Sequence, residues 1–442
     1  MKANHHFSEG DINQSEERQK WYEEITDQET KEYLEKDAKY FLHQALSTPC
    51  IDVVSTSKDA SLYNLQGKKY LDFHGNSTHQ IGFGNDYVIE RLKAQLDECT
   101  FSTRRYTNKA AVDFAEKLTS LLPSGLNKVL FAPGGAEVNG IALKLARYIT
   151  GKHKVVSYWD SFHGATLDTI SAGGEAIFRE GMGPLMPGVI RIPPPTRTNG
   201  FFNDEMKTAD YLEYIIEKEG EIGAFIAEPI RNTDVQIPSP DYWKRIREIC
   251  TKHNILLILD EIPTSLGRTG KLFAFENFGI EPDILTLGKG LGGGMIPFAA
   301  MICREEYNVA TNISLGHYTH EKSPLGSTAA HATIDYILEN NLLEKVKQDE
   351  QWMEQQLFTL KAKHRIIGSI RGIGLLWAFE LLKDGKPAIK EAEQLMYHCL
   401  REGLSFKVSH GNTILLSPAL IIERNELADA LSILDEALSQ LS

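Results

Sequence analysis

Basic charge is in short supply. The chain has 47 lysines and arginines against 60 aspartates and glutamates, a net of −13. A protein that tracks a phosphate backbone carries a basic excess or a basic stripe. Neither is present, which sets nucleic acid aside as a partner. Long hydrophobic runs are missing as well. The apolar runs, such as Ile255–Leu259, fall far short of the roughly 18 residues a membrane span needs, so no membrane role is expected. Cysteine is sparse: Cys50, Cys99, Cys250, Cys303 and Cys399 are scattered and form no C-x-x-C pair. That argues against a disulfide framework and against a zinc ribbon, and no metal site is expected. The stretch Met1–Gln19 is polar and acidic and lacks the apolar centre of a secretory signal. The expected compartment is the reducing cytoplasm. No repeat of fixed period and no low-complexity tract interrupts the chain.

What is present is an ordinary globular composition, 42% hydrophobic and 24% charged over 442 residues. Domains run to about 100–200 residues, so two or three are expected, or one large domain with a satellite. Residues 1–38 read as a polar arm, with short helical stretches at Glu16–Glu24 and Thr30–Ala38. Residues 39–84 contain short strands turning at Gln66–Gly67, placed to join the carboxyl-terminal part. In residues 85–330 aliphatic runs recur at Lys128–Ala132, Lys154–Tyr158, Gly223–Ala227, Ile255–Leu259, Ile284–Leu287 and Phe298–Ile302. Helical patterns lie between several of them. Val138, Ile141, Ala142, Leu145 and Ala146 share one face, as do Tyr242, Ile246 and Cys250. Apolar strands alternating with such helices predict an α/β domain, a mostly parallel sheet sandwiched by helices. Gly181–Gly200, with five prolines and four glycines, reads as a long irregular loop. Residues 331–442 suggest a smaller α+β domain.

In parallel sheets ligands bind at the carboxyl ends of strands. After Lys128–Ala132 comes Pro133-Gly134-Gly135-Ala136-Glu137, opening a helix, where backbone N–H groups favour an anion. A bare strand-to-helix turn explains it equally well. After Lys154–Tyr158 comes Ser161-Phe162-His163-Gly164. Phe162 there suits a flat ring, although a core aromatic and a surface histidine are the plainer reading. Glu228-Pro229-Ile230-Arg231 follows the next strand. It suits either a surface ion pair or a polar substrate. Asp260-Glu261 finishes Ile255–Leu259, and an acid there is costly to bury without a cation, a metal or a protonated ring nitrogen; a helix cap is the alternative. Lys289 follows Ile284–Leu287 among glycines, where a desolvated amine becomes nucleophilic. A phosphate loop is the alternative, but the order Gly288-Lys289-Gly290 does not fit the G-x-x-x-x-G-K-[ST] pattern. Taken in series these strand ends describe a pocket for a flat, phosphorylated ring held by an amine, pyridoxal phosphate.

Over roughly residues 40–440 the chain resembles the class III aminotransferase family of fold-type I pyridoxal-phosphate enzymes. The most specific segment runs from Leu259-Asp260-Glu261-Ile262-Pro263 through Gly267-Arg268-Thr269-Gly270 to Asp283 and Gly288-Lys289-Gly290. Asp260 and Lys289 stand 29 residues apart, which suits the family. The resemblance implies a seven-stranded sheet of the fold-type I kind. It implies that Lys289 carries the cofactor covalently and that Asp260 pairs with the ring nitrogen. Ile262 and Phe162 would cover the two ring faces. Gly134, Gly135 and Ala136 would hold the phosphate, and Glu228 would lie near the ring hydroxyl and the substrate. Thr319, in Tyr318-Thr319-His320-Glu321-Lys322-Ser323-Pro324, would reach the phosphate of a neighbouring subunit, implying a homodimer with shared active sites.

Three departures bear on substrate. The phosphate turn lacks the family's usual hydroxyl. Pro263 stands where a glutamine is usual, so a hydrogen bond to the ring oxygen is lost. Leu415, in Ile414-Leu415-Leu416-Ser417-Pro418, replaces the arginine with which many members bind a carboxylate. A different basic set remains: Arg104 and Arg105 in one segment, Arg231 after the Glu228 strand end, and His74 in Phe73-His74-Gly75-Asn76. Arginine forks match phosphonate oxygens, although any one of these arginines is also explained by a surface acid. Phe73–Asn76, Arg104–Asn108 and His317–Lys322 are most similar to a branch linked with phosphonate breakdown. That implies elimination of ammonia from an amino-hydroxyphosphonate, with amino transfer to a 2-oxo acid as the alternative.

Overall fold

The computed structural model describes residues 15–24, 27–44, 50–196 and 200–441. The first 14 residues of the polar arm, and residues 197–199 of the Gly181–Gly200 segment, lie outside the described residues. The chain divides into two units. The larger comprises Asp86–Asn232 and Gln236–Leu343; the smaller takes the residues up to Asn85, Thr233–Val235 and those from Glu344 onward.

The larger unit is built on seven strands: β1 (Leu126–Ala132), β2 (Lys154–Tyr158), β3 (Val189–Ile192), β4 (Ile222–Ala227), β5 (Leu256–Asp260), β6 (Ile284–Leu287) and β7 (Ala299–Arg304). They lie in the order β1-β7-β6-β5-β4-β2-β3. β7 is antiparallel to both its neighbours, and every other pair is parallel. β4, β5 and β6 are buried at every position, which is why they are apolar almost throughout rather than at alternate residues, with Asp260 and Thr286 the polar exceptions. Each fully buried Ile or Leu among them contributes about 1.5–3 kcal/mol.

Helix α1 (Gly135–Thr150) follows β1 and lays Val138, Ile141, Ala142, Leu145 and Ala146 into a core shared with Val155, Ile258 and Ile284. It stops at Gly151, whose φ of +66° is left-handed and free of strain only in glycine. Helix α2 (Pro240–Lys252) starts where the Ser239 hydroxyl accepts the Tyr242 N–H at 3.1 Å, with Pro240 in its first turn. Tyr242, Ile246 and Cys250 are its buried stripe.

The Gly181–Gly200 segment is not irregular throughout. β3 lies within it and pairs with Val155–Tyr158. Val189, Ile190 and Ile192 favour a strand, and the edge position asks for hydrogen bonds on one side only, so the flanking prolines are tolerated.

In the smaller unit Val54–Lys58, Ser61–Asn64 and Lys69–Asp72 form an antiparallel meander, extended in parallel by Leu404–Ser405. A second sheet places Leu376–Lys383 between Ile367–Ile373 and Thr413–Leu416. The helix Glu16–Glu24 is anchored by Trp21, which is buried and donates its indole N–H to the Ile51 carbonyl at 2.8 Å. Among the described residues no helix is long and apolar enough to cross a membrane.

Candidate active site

Because β1, β2, β4, β5 and β6 run in one direction, their carboxyl ends share one edge of the sheet. Asp260 ends β5 there and is 2% exposed. Its Oδ2 accepts from Asn139 Nδ2 and from the His163 ring, both at 2.8 Å, and its Oδ1 accepts the Ile262 N–H at 3.1 Å. A carboxylate offers about four lone-pair positions, so three donors leave room for one more. The carboxylate only accepts, which assigns the His163 proton to Nδ1. His163 Nε2 is buried and has no hydrogen-bond partner among the described residues. Asn139, on α1, also donates to the His163 carbonyl at 2.8 Å and accepts the Thr286 hydroxyl of β6 at 2.8 Å. One amide thus ties α1, the segment after β2, β5 and β6 to a single point.

Lys289 begins the connection from β6 to the antiparallel β7. It is half-buried, and its φ is +49°, a left-handed conformation strained for any residue but glycine. Such strain persists where the surroundings over-determine it, and it concentrates at functional sites. Gly134 caps α1 with no side-chain hydrogen bond, so the first N–H groups of a long helix face outward as an anion cradle. A Cβ on Gly135 would come within 2.7 Å of Ile262 Cδ1, and one on Gly288 within 3.3 Å of Ile262 Cγ2. Ile262 is therefore pressed against both the glycine turn and the residue before Lys289. Gly134, Gly135 and Ala136 remain partly open.

Glu228 follows β4 and is buried. Its Oε2 accepts the Asn232 N–H at 3.0 Å. Burial holds its carboxyl above the usual carboxylate range, and the Asp260 charge adds to this, while His163 and Lys289 pull the other way. Glu228 is thus within electrostatic reach of the other three.

Phe162 is half-buried and packs on Phe178, ring centres 4.7 Å apart. Arg231 is buried, and its backbone pairs with Gln236 in both directions. Arg104 contacts His317, while Arg105 is exposed in the same turn. Phe101 meets His320 edge-on, and Asn108 donates to the Lys322 carbonyl at 2.9 Å. The two segments singled out for substrate and partner therefore pack on each other. Thr319 is exposed within the second of them, just ahead of the helix Pro324–Glu339. His74 belongs to the smaller unit, where its N–H binds Asp72 Oδ1 at 2.9 Å.

Sequence reasoning missed Asn139 and Thr286 and read His163 as a surface residue. Asn139 stands three residues before Ala142 on the buried face of α1, a position that marks it as buried but does not name its partner.

A family model described as aminotransferase class-III matches residues 43–438. The chain belongs to the class III aminotransferase family. A relative in the family, the (R)-1-hydroxy-2-aminoethylphosphonate ammonia-lyase of Vibrio splendidus strain 12B01, is 54% identical over 100% of this chain and 97% of that protein. The acetylornithine aminotransferase of Methanocaldococcus jannaschii is 31% identical over 92% of this chain and 98% of that protein. A solved amine transaminase from an uncultivated Pseudomonas species, in its PLP-bound form, superposes with a TM-score of 0.86 at 27% identity, covering 91% of this chain and 99% of that one. The residues at the sheet edge fit pyridoxal phosphate. An uncapped helix start suits its phosphate, the spare lone pair of Asp260 suits its ring nitrogen, and the half-buried Lys289 offers an amine.

Proposed function

We propose that this protein is a pyridoxal-phosphate-dependent ammonia-lyase that converts (R)-1-hydroxy-2-aminoethylphosphonate into phosphonoacetaldehyde and ammonia. The observation that carries the reading is the end-to-end similarity to a lyase of that name. It agrees with Leu415, which is buried in Thr413–Leu416 opposite Ala378 and cannot bind the carboxylate of an oxo acid.

Bound at the sheet edge, pyridoxal phosphate supplies a sink for the electron pair of the carbon–hydrogen bond beside nitrogen. Gly134, Gly135 and Ala136 hold its phosphate, with Thr319 of a second copy adding a hydroxyl. Asp260 keeps a proton on its ring nitrogen, held in aim by Asn139 and His163. Ile262 and Phe162 cover the ring. Lys289 takes the proton from the carbon bearing the amine. Arg231, with Arg105, Arg104 and His74 in reserve, binds the phosphonate. The enzyme works as a homodimer in the cytoplasm.

The test is to supply the amino-hydroxyphosphonate with no oxo acid and to follow ammonia and aldehyde. Sustained release of both supports the lyase. Stoichiometric loss of the cofactor's absorption, restored only by an oxo acid, replaces it with a transaminase.

A further inference from the structure

Two carboxyls stand on neighbouring strands at the sheet edge, and they are supplied with donors unequally. Asp260 receives three hydrogen bonds. Glu228 receives one, from the Asn232 N–H to Oε2, and its Oε1 is buried with no hydrogen-bond partner among the described residues. An ionised oxygen sealed from water without a donor is strongly disfavoured. A neutral carboxylic acid suits the same surroundings: Oε2 accepts from Asn232, and Oε1 carries a proton to give. Burial and the Asp260 charge act in that direction, while His163 and Lys289 oppose it. Two carboxyls whose environments differ in this way divide acid and base work between them.

The proposed reaction needs such an acid. Hydroxide is a poor leaving group, and it departs readily only as water. We propose that Glu228 is the general acid that protonates the departing hydroxyl of the substrate. This rests on the lyase reading. Lys289 takes the proton from the carbon bearing nitrogen, and the pair of that bond becomes the new carbon–carbon double bond. The carbon–oxygen bond breaks with its pair on oxygen, and the Glu228 proton completes water. Lys289, now an ammonium, returns a proton to the Glu228 carboxylate. The released enamine takes up water and gives aldehyde and ammonia, so no oxidant or second substrate enters.

The experiment compares the hydroxyl substrate with its 1-fluoro analogue in the wild-type holoenzyme, Glu228→Gln and Glu228→Asp. Fluoride is the base of a far stronger acid than water and leaves without help. With the hydroxyl substrate Glu228→Gln should lose about 10²–10⁴-fold in ammonia release, the range of a lost general acid. With the fluoro analogue it should lose less than about tenfold. Glu228→Asp, which keeps an acid, should recover part of the difference. Deuterium from solvent should still enter recovered substrate at the carbon bearing nitrogen in Glu228→Gln. The infrared carbonyl band of a protonated carboxyl, present in wild type at neutral pH, should be lost in the same variant. Equal losses on both substrates, or no such band, overturn the proposal and leave both proton transfers to Lys289. Wild type that releases no ammonia without an oxo acid overturns the lyase reading itself.

Discussion

The carboxyl edge of the sheet and the paired turns at 101–108 and 317–323 belong to the same unit, yet they are built differently. At the sheet edge polar groups are buried and cross-linked: one amide, Asn139, joins a helix, a loop and two strands. In the turns Arg105 and Thr319 stand exposed, and the contacts are single ones, Arg104 on His317 and Asn108 on Lys322. A group that must hold an atom in one place is fixed by strand ends that cannot shift without breaking the core. An exposed turn is instead a place where a residue can change at little cost to folding.

The largest break should come at Lys289. With the roles proposed for it, Lys289→Ala would remove the covalent anchor and the base together, so turnover should fall by more than about 10⁴-fold. The absorption of the covalently held cofactor should vanish with it. Borohydride reduction followed by peptide mapping checks the assignment, and label found on another lysine would refute it.

Asp260→Asn should leave cofactor binding largely in place and slow proton abstraction by about 10²–10³-fold, as for loss of one preorganised electrostatic contact. Solvent deuterium exchange into substrate measures this step alone. Turnover near that of wild type would show that another group keeps the ring nitrogen protonated.

These two residues stand out in the sequence because each breaks a local rule. An acid ending an apolar strand and a lysine among glycines are costly unless something requires them. The sheet was legible for the opposite reason: apart from Asp260 and Thr286, β4, β5 and β6 carry no polar side chain, as two-sided burial demands. Asn139 was not, because nothing in the sequence says that a polar residue on an apolar helix face meets a carboxylate 121 positions away. His163 was read as surface because its partner likewise comes from another strand. β3 was hidden by the prolines around it, whose influence is local, while its pairing with β2 is not. The arginines could be named only as a set of candidates, since a guanidinium in a loop looks the same whether it meets a phosphonate or a surface acid.

Arg231 sharpens the comparison, being a candidate substrate group that is nonetheless buried beside a strand end. Arg231→Ala should raise KM for the aminophosphonate about ten- to a hundredfold, since a hydrogen bond to a charged group is worth roughly 1.5–3 kcal/mol. It should do little for a neutral amine of the same length. If Arg105→Ala shows that pattern and Arg231→Ala does not, the phosphonate is gripped by the turns rather than by the sheet edge.

The smallest effect is expected at Thr319, and it tests whether the turns serve a second copy. Gly134-Gly135-Ala136 offers the phosphate backbone N–H groups but no hydroxyl, and Thr319 is exposed on a turn whose neighbours His320 and Lys322 meet Phe101 and Asn108. Thr319→Ala should weaken cofactor affinity by about tenfold, the low end for a hydrogen bond to a charged group, because water replaces part of it. Absorbance titration of the cofactor-free protein reads this directly. Mixing Thr319→Ala with Lys289→Ala subunits then decides the geometry. In a hybrid dimer the intact Lys289 lies in the chain that lacks the hydroxyl, while its partner keeps Thr319. If Thr319 acts across the interface, that site regains full affinity and turnover. If it acts within its own chain, the hybrid stays as weak as the Thr319→Ala homodimer. A protein that sediments as a monomer with unchanged affinity in Thr319→Ala removes the shared site altogether.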